Sequence, residues 1–142
     1  TQPLEVFILG SATKYAGESL MGGDFFFGGM HFDADGRLAL NERPYLGTKM
    51  LGGASRGRFL FFDPEKRLRP VQFTHGREKE IDAADWAFYE PRLRRFFQKA
   101  HIALYQKDNR EFLNVSGKMI PFVPESFRLI VPSGELKGYD SH

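Results

Sequence analysis

The chain has 142 residues, 42% of them hydrophobic and 27% charged, with a formal net charge of +2. These totals describe an ordinary globular chain rather than a disordered one, and so small a charge excess gives little reason to expect a nucleic-acid partner. The absence of cysteine excludes a disulfide framework, a thiolate zinc or iron–sulfur site on this chain and a cysteine nucleophile.

In chain order, Leu4 to Leu9 is rich in branched and aromatic residues and is stopped by Gly10, the pattern of a strand. Phe25-Phe26-Phe27 is a second strand, stopped by Gly28-Gly29. Short apolar runs between glycine turns suit the coils of a parallel β-helix, whose corners need positive φ or close backbone approach. A repeat supports this. Tyr15, Gly17, Gly22, Gly23, Phe32, Asp33, Arg37 and Leu38 each recur 30 residues later, as in 45 − 15 = 30. Those are eight identities in the 24 positions from 15 to 38, where chance gives about two, and a fixed period usually marks one unit stacked on its copy. Asp33-Ala-Asp-Gly36 and Asp63-Pro-Glu-Lys66 carry type I turn chemistry. An antiparallel meander is therefore the alternative to the coil. The repeated Asp33 and Asp63 read as turn caps rather than a catalytic carboxylate pair. The doubled glycines lead toward strands, so they read as corners rather than as a phosphate cradle.

Phe7-Ile-Leu-Gly10, Tyr15-Ala-Gly17-Glu18, Leu20-Met21-Gly22-Gly23 and Phe25-Phe-Phe-Gly28-Gly29 resemble the glycine-rich β-helix domain at the C-terminal end of the glutamate synthase large subunit. Tyr45-Leu-Gly47, Met50-Leu-Gly52-Gly53 and Arg58-Phe-Leu-Phe-Phe62 look like a further coil. A related domain occurs in formylmethanofuran dehydrogenase. The resemblance covers roughly residues 5 to 63. It implies a right-handed parallel β-helix that holds catalytic domains in position. It also implies a glutamate synthase-like oxidoreductase complex whose nucleophile, flavin and iron–sulfur sites lie on other domains.

Beyond Gly57 glycine thins out and charge increases. Asp82-Ala-Ala-Asp85 is an N-cap with an acidic third residue. Trp86, Phe88 and Tyr89 then make a short helix, and Pro91 opens a second. Leu93, Phe96, Phe97, Ala100 and Leu104 share one apolar face of it, and Arg92, Arg94, Arg95 and Lys99 form a solvated face opposite. This helix would cap the open end of the coil stack. Pro121, Pro124 and Pro132 point to extended segments lying along the body, with Arg128 to Val131 as one edge strand and residues 133–142 as a tail.

The fold expected is mainly β with a helical appendage: a short right-handed parallel β-helix over 1–80, and a helical cap with an extended tail over 81–142. The histidines at 31, 75, 101 and 142 have no metal-ligand spacing, and no catalytic, cofactor or metal residue is assigned. His31 reads as a core or turn histidine. His75, Arg77 and Tyr105 are the ligand candidates. The expected role is a non-catalytic structural domain or subunit, with a protein partner or as a homo-oligomer, and no membrane contact. The alternative is a stand-alone ligand-binding protein or enzyme with a pocket between the repeats and the cap. No apolar run reaches the roughly 18 residues that cross a bilayer and no leader pattern opens the chain, so a cytoplasmic location is expected.

Overall fold

A computed structural model describes residues 5–11, 23–42, 57–69 and 76–132. In chain order the elements are β1 (Glu5–Ile8), β2 (Asp24–Phe27), β3 (Met30–Phe32), β4 (Leu38–Leu40), β5 (Arg58–Phe62) and β6 (Gly76–Lys79). The helix α1 (Ala83–Lys99) follows, then β7 (Tyr105–Lys107), β8 (Arg110–Val115), β9 (Lys118–Pro121) and β10 (Phe127–Pro132).

Five strands form one mixed sheet in the order β1-β2-β5-β10-β6. The first three are parallel, as the glycine-bounded runs led one to expect. The winding stops there. β10 inserts between β5 and β6, antiparallel to both. The molecule is therefore neither a parallel β-helix nor a simple meander; it is an open mixed sheet carrying two smaller sheets and one helix. The pairing register gives the reason. Stacked copies would pair at the repeat's offset of 30, but Asp24 pairs with Arg58, and 58 − 24 = 34. That shift lays Phe25, Phe26 and Phe27 beside Phe59, Leu60 and Phe61, with Phe25–Phe59 and Phe27–Phe61 stacked at 4.9 and 5.5 Å. Matched aromatic neighbours of this kind favour one register over a slipped one. Of the doubled glycines, Gly22, Gly52 and Gly53 lie outside the described residues.

β10 is a central strand, not the edge strand its prolines indicated. Phe127, Leu129, Ile130 and Val131 are all buried, the near-continuous burial of a strand covered on both faces. Pro132 sits at its last position and Pro124 opens a 3-10 turn just before it, so neither interrupts the ladder.

The helix starts where the cap residues place it. The Asp82 side chain accepts from the Asp85 backbone N–H and the Asp85 side chain accepts from that of Asp82, a full capping box. It does not break at Pro91; one helix runs from Ala83 to Lys99. The cost of an interior proline is about 3 kcal/mol. Burial of Tyr89, Leu93 and Phe97 on both sides of the ring offsets it, at about 1.5–3 kcal/mol for a buried leucine- or phenylalanine-sized side chain. The Arg92 guanidinium also donates to the Phe88 carbonyl at 2.8 Å, beside the backbone bond that the proline removes.

α1 lies across a face of the sheet instead of capping the end of a stack. Phe97 and Phe96 meet Phe26 edge-on, and Trp86 packs on Phe127. Tyr89, Leu93 and Phe97 join Phe26, Leu60, Phe62, Leu129 and Leu113 in one core. The segment after the helix is a three-stranded meander, β7-β8-β9. Its two-residue turns, Asp108-Asn109 and Ser116-Gly117, both take positive φ, the type I′ geometry that matches strand twist. No described helix is long and apolar enough to cross a membrane.

Candidate functional site

The hairpin β3–β4 leaves the main sheet at Gly28-Gly29. Gly28 and Met30 donate to the Ile8 and Leu9 carbonyls, and Gly29 to that of Gly10. A Cβ on Gly28 would lie 2.6 Å from the Leu9 carbonyl oxygen, so only glycine fits there. Met30 pairs with Leu40 and Phe32 with Leu38. Asp33 closes the turn by accepting from the Asp35 and Arg37 backbone N–H groups, both at 2.9 Å. Asp63 does the same for Arg67 and Leu68, at 2.8 Å each. The repeat thus reproduces a turn cap, as expected, and neither carboxylate is left free to pair in catalysis.

The outer side of β4 is held by the β8–β9 turn. Ser116 donates its backbone N–H to the Leu38 carbonyl, and its Oγ accepts from the Leu40 N–H, both at 2.9 Å. Arg94 on α1 donates to both carboxylate oxygens of Glu111 on β8, at 2.7 and 2.8 Å, and holds the Glu111 carboxyl below its ordinary range. Hairpin, meander and helix end are thereby fixed relative to one another.

Between them lies a pocket of about 550 Å³, within the size range of small-molecule sites. Phe32, Arg37, His101, Tyr105 and Asn114 line it, with the Ser116-Gly117 turn at one side. Phe32 and Tyr105 are 45% and 42% exposed, although both are aromatic. Among the described residues, neither ring contacts another aromatic ring, and the side chains of Arg37, His101 and Asn114 have no hydrogen-bond or ion-pair partner. Asp33 contributes the negative charge at the rim, with Oδ1 already engaged by its turn.

His101 stands just past the end of α1. Ile102 N–H bonds to the Phe97 carbonyl and His101 N–H to that of Gln98, which is the Schellman arrangement. Its C′ position requires the left-handed backbone, and His101 takes it with φ 61. Glycine is the residue that makes this geometry easily.

Two other polar clusters are occupied by their own partners. At the start of β2 and β5, Asp24 accepts from Arg58 Nε at 2.8 Å and from the Tyr89 hydroxyl at 2.9 Å, while Asp85 accepts from Arg58 and Lys79. Burial, reinforced by Asp24, drives the Tyr89 hydroxyl well above its ordinary range, so it stays a proton donor. At the other end, buried Asp63 accepts from Arg128 at 3.0 Å, and Arg128 also grips Glu78 at 2.7 and 2.9 Å. Among the described residues, no group of three or more His, Asp or Glu could hold a metal ion.

The sequence-derived candidates separate. Tyr105 lines the pocket. Arg77 lies on the edge strand β6, opposite Val131, and does not line it. His75 lies outside the described residues. His31 is neither a core nor a turn histidine: it is exposed in the middle of β3, opposite Ala39, and its Nδ1 donates to Asn41 Oδ1 at 2.6 Å, while Asn41 donates on to Ser11 Oγ. Phe32, Arg37, His101 and Asn114 were not singled out as site residues. One signal existed for His101: a helix with no glycine after its last apolar turn. Comparison with protein-family models, with curated proteins and with solved structures gives no match for this chain.

Proposed function

We propose that the chain is a small-ligand-binding module, and that its site is the pocket between the β3–β4 hairpin and the helix end with its meander. This develops the alternative reading of the sequence, in which a pocket lies between repeats and helix. One observation carries it: two exposed aromatic rings and three exposed polar side chains, unpartnered among the described residues, line a single concavity of about 550 Å³. Aromatic side chains together with a few placed polar groups are common in ligand sites. Screening a metabolite library by thermal unfolding tests this, with Phe32→Ala/Tyr105→Ala as control. A compound that stabilises the native chain and leaves the double variant unshifted supports the reading. Stabilisers that act equally on both place binding elsewhere and refute it.

The scaffold reading, carried by the resemblance to the glutamate synthase domain, has one independent support. Among the described residues β1 stands at an edge of the main sheet, with Ile8 41% exposed, and an edge strand accepts a partner polypeptide by β-addition. Its test is recovery of the chain with a second polypeptide from its native source; recovery as a lone monomer contradicts it.

A further inference from the structure

Resting on that reading of the pocket, we infer that its ligand is a nucleotide, with the base on Phe32 and Tyr105 and the phosphate at Arg37. The exposed rings are stacking surfaces, and a base offers a π-face to each whatever its identity. Arg37 projects from the hairpin turn with no carboxylate partner among the described residues, and a guanidinium matches phosphate geometry. Asn114 on β8 carries a donor and an acceptor side by side, the pair that reads the edge of a base. The polarity of α1 orders the ligand. Its C-terminal end carries partial negative charge, so the phosphate belongs at Arg37 rather than beside His101, with the guanidinium also offsetting the Asp33 carboxylate at the same turn.

His101 takes the left-handed position after α1, and its imidazole lines the pocket. A purely apolar ligand would leave Arg37, His101 and Asn114 without partners on binding, at a desolvation penalty that a nucleotide avoids.

The experiment is a titration of the isotope-labelled full chain, followed by amide and side-chain resonances. The probes are AMP, GMP, CMP and UMP, the four nucleosides, ribose 5-phosphate, neutral monosaccharides and a short single-stranded oligonucleotide. Mononucleotides are expected to shift Phe32, Arg37, His101, Tyr105 and Asn114 together. Phe32→Ala and Tyr105→Ala are each expected to weaken binding roughly five- to hundredfold while still unfolding cooperatively, since neither side chain belongs to the buried core. Arg37→Met is expected to remove the preference for nucleotide over nucleoside. An oligonucleotide that binds more tightly, with steep salt dependence, identifies a strand as the source of the base and phosphate; equal affinity identifies the free nucleotide. If saccharides or another class shift these resonances and nucleotides do not, the nucleotide assignment is overturned and the pocket stands. If no probe shifts them up to about 5 mM, and the library screen is also empty, both fall.

Discussion

His101 shows how a single backbone angle ties stability to the site. Replacing it with glycine relieves the left-handed strain, and the variant is expected to be more stable by about 0.5–1 kcal/mol in urea unfolding. A loss of stability instead would mean that the imidazole packs on the core, and would remove the ground for assigning it to the pocket. Asp63 makes the opposite kind of case. It is 2% exposed and relies on Arg128, so Arg128→Met leaves a buried carboxylate short of a partner and is expected to cost about 3 kcal/mol. The same guanidinium depresses the Glu78 carboxyl through a hydrogen bond. A depressed folded value stabilises the native state above the unfolded value, near 4.5, and the contribution is lost as pH falls through the folded one. Glu78→Gln is therefore expected to flatten the acid limb of the stability curve and to leave its slope near neutrality unchanged; an unaltered acid limb would contradict the pairing. The turn roles of Asp33 and Asp63 were legible because capping of a turn by an aspartate side chain is local in sequence. The role of His101 was not, because the missing glycine after the last apolar turn of the helix does not say which residue takes the left-handed position.

Elements were legible where their signal is local and periodic. The capping box at Asp82 and Asp85 and the face carrying Leu93 and Phe97 follow from a 3.6-residue period and a start signal, and both stand in the structure. Pro91 misled, because its ring disturbs one turn while burial of Tyr89, Leu93 and Phe97 acts along the whole helix. The meander was hidden by its turns. Asp108-Asn109 and Ser116-Gly117 take type I′ angles without the Asn-Gly pair that most plainly announces them. Gly28-Gly29 after β2 was expected as a corner of a coil; it is instead the point where a hairpin leaves the sheet, and of the two reasons for a glycine there, close backbone approach is the one that holds at Gly28. Its Cβ would collide with a backbone oxygen that cannot rotate away, so Gly28→Ala is expected to destabilise by about 1–3 kcal/mol in denaturant unfolding. A neutral result would mean that the departure of the hairpin from the sheet is looser than the three backbone bonds at residues 28 to 30 imply.

At the scale of the molecule, the repeat predicted more regularity than the fold contains. Phe32 and Phe62 are equivalent in sequence, yet Phe62 is fully buried in the main sheet while Phe32 is 45% exposed over the pocket. The two copies part because β10 pairs with β5, a contact between distant residues that local patterns do not encode. With the sheet completed by β10, the β3–β4 hairpin is left to dock on the meander, and that docking creates the concavity. The Ser116 amide is the most direct witness. As a residue of a two-residue turn its N–H would face water, whereas here it bonds to the Leu38 carbonyl at 2.9 Å. Native-state hydrogen exchange at this one amide tests the arrangement on which the ligand site depends. Slow exchange, comparable with the neighbouring β8 amides, is the result expected; exchange at the rate of an open turn would mean that hairpin and meander are apart and that the pocket does not form.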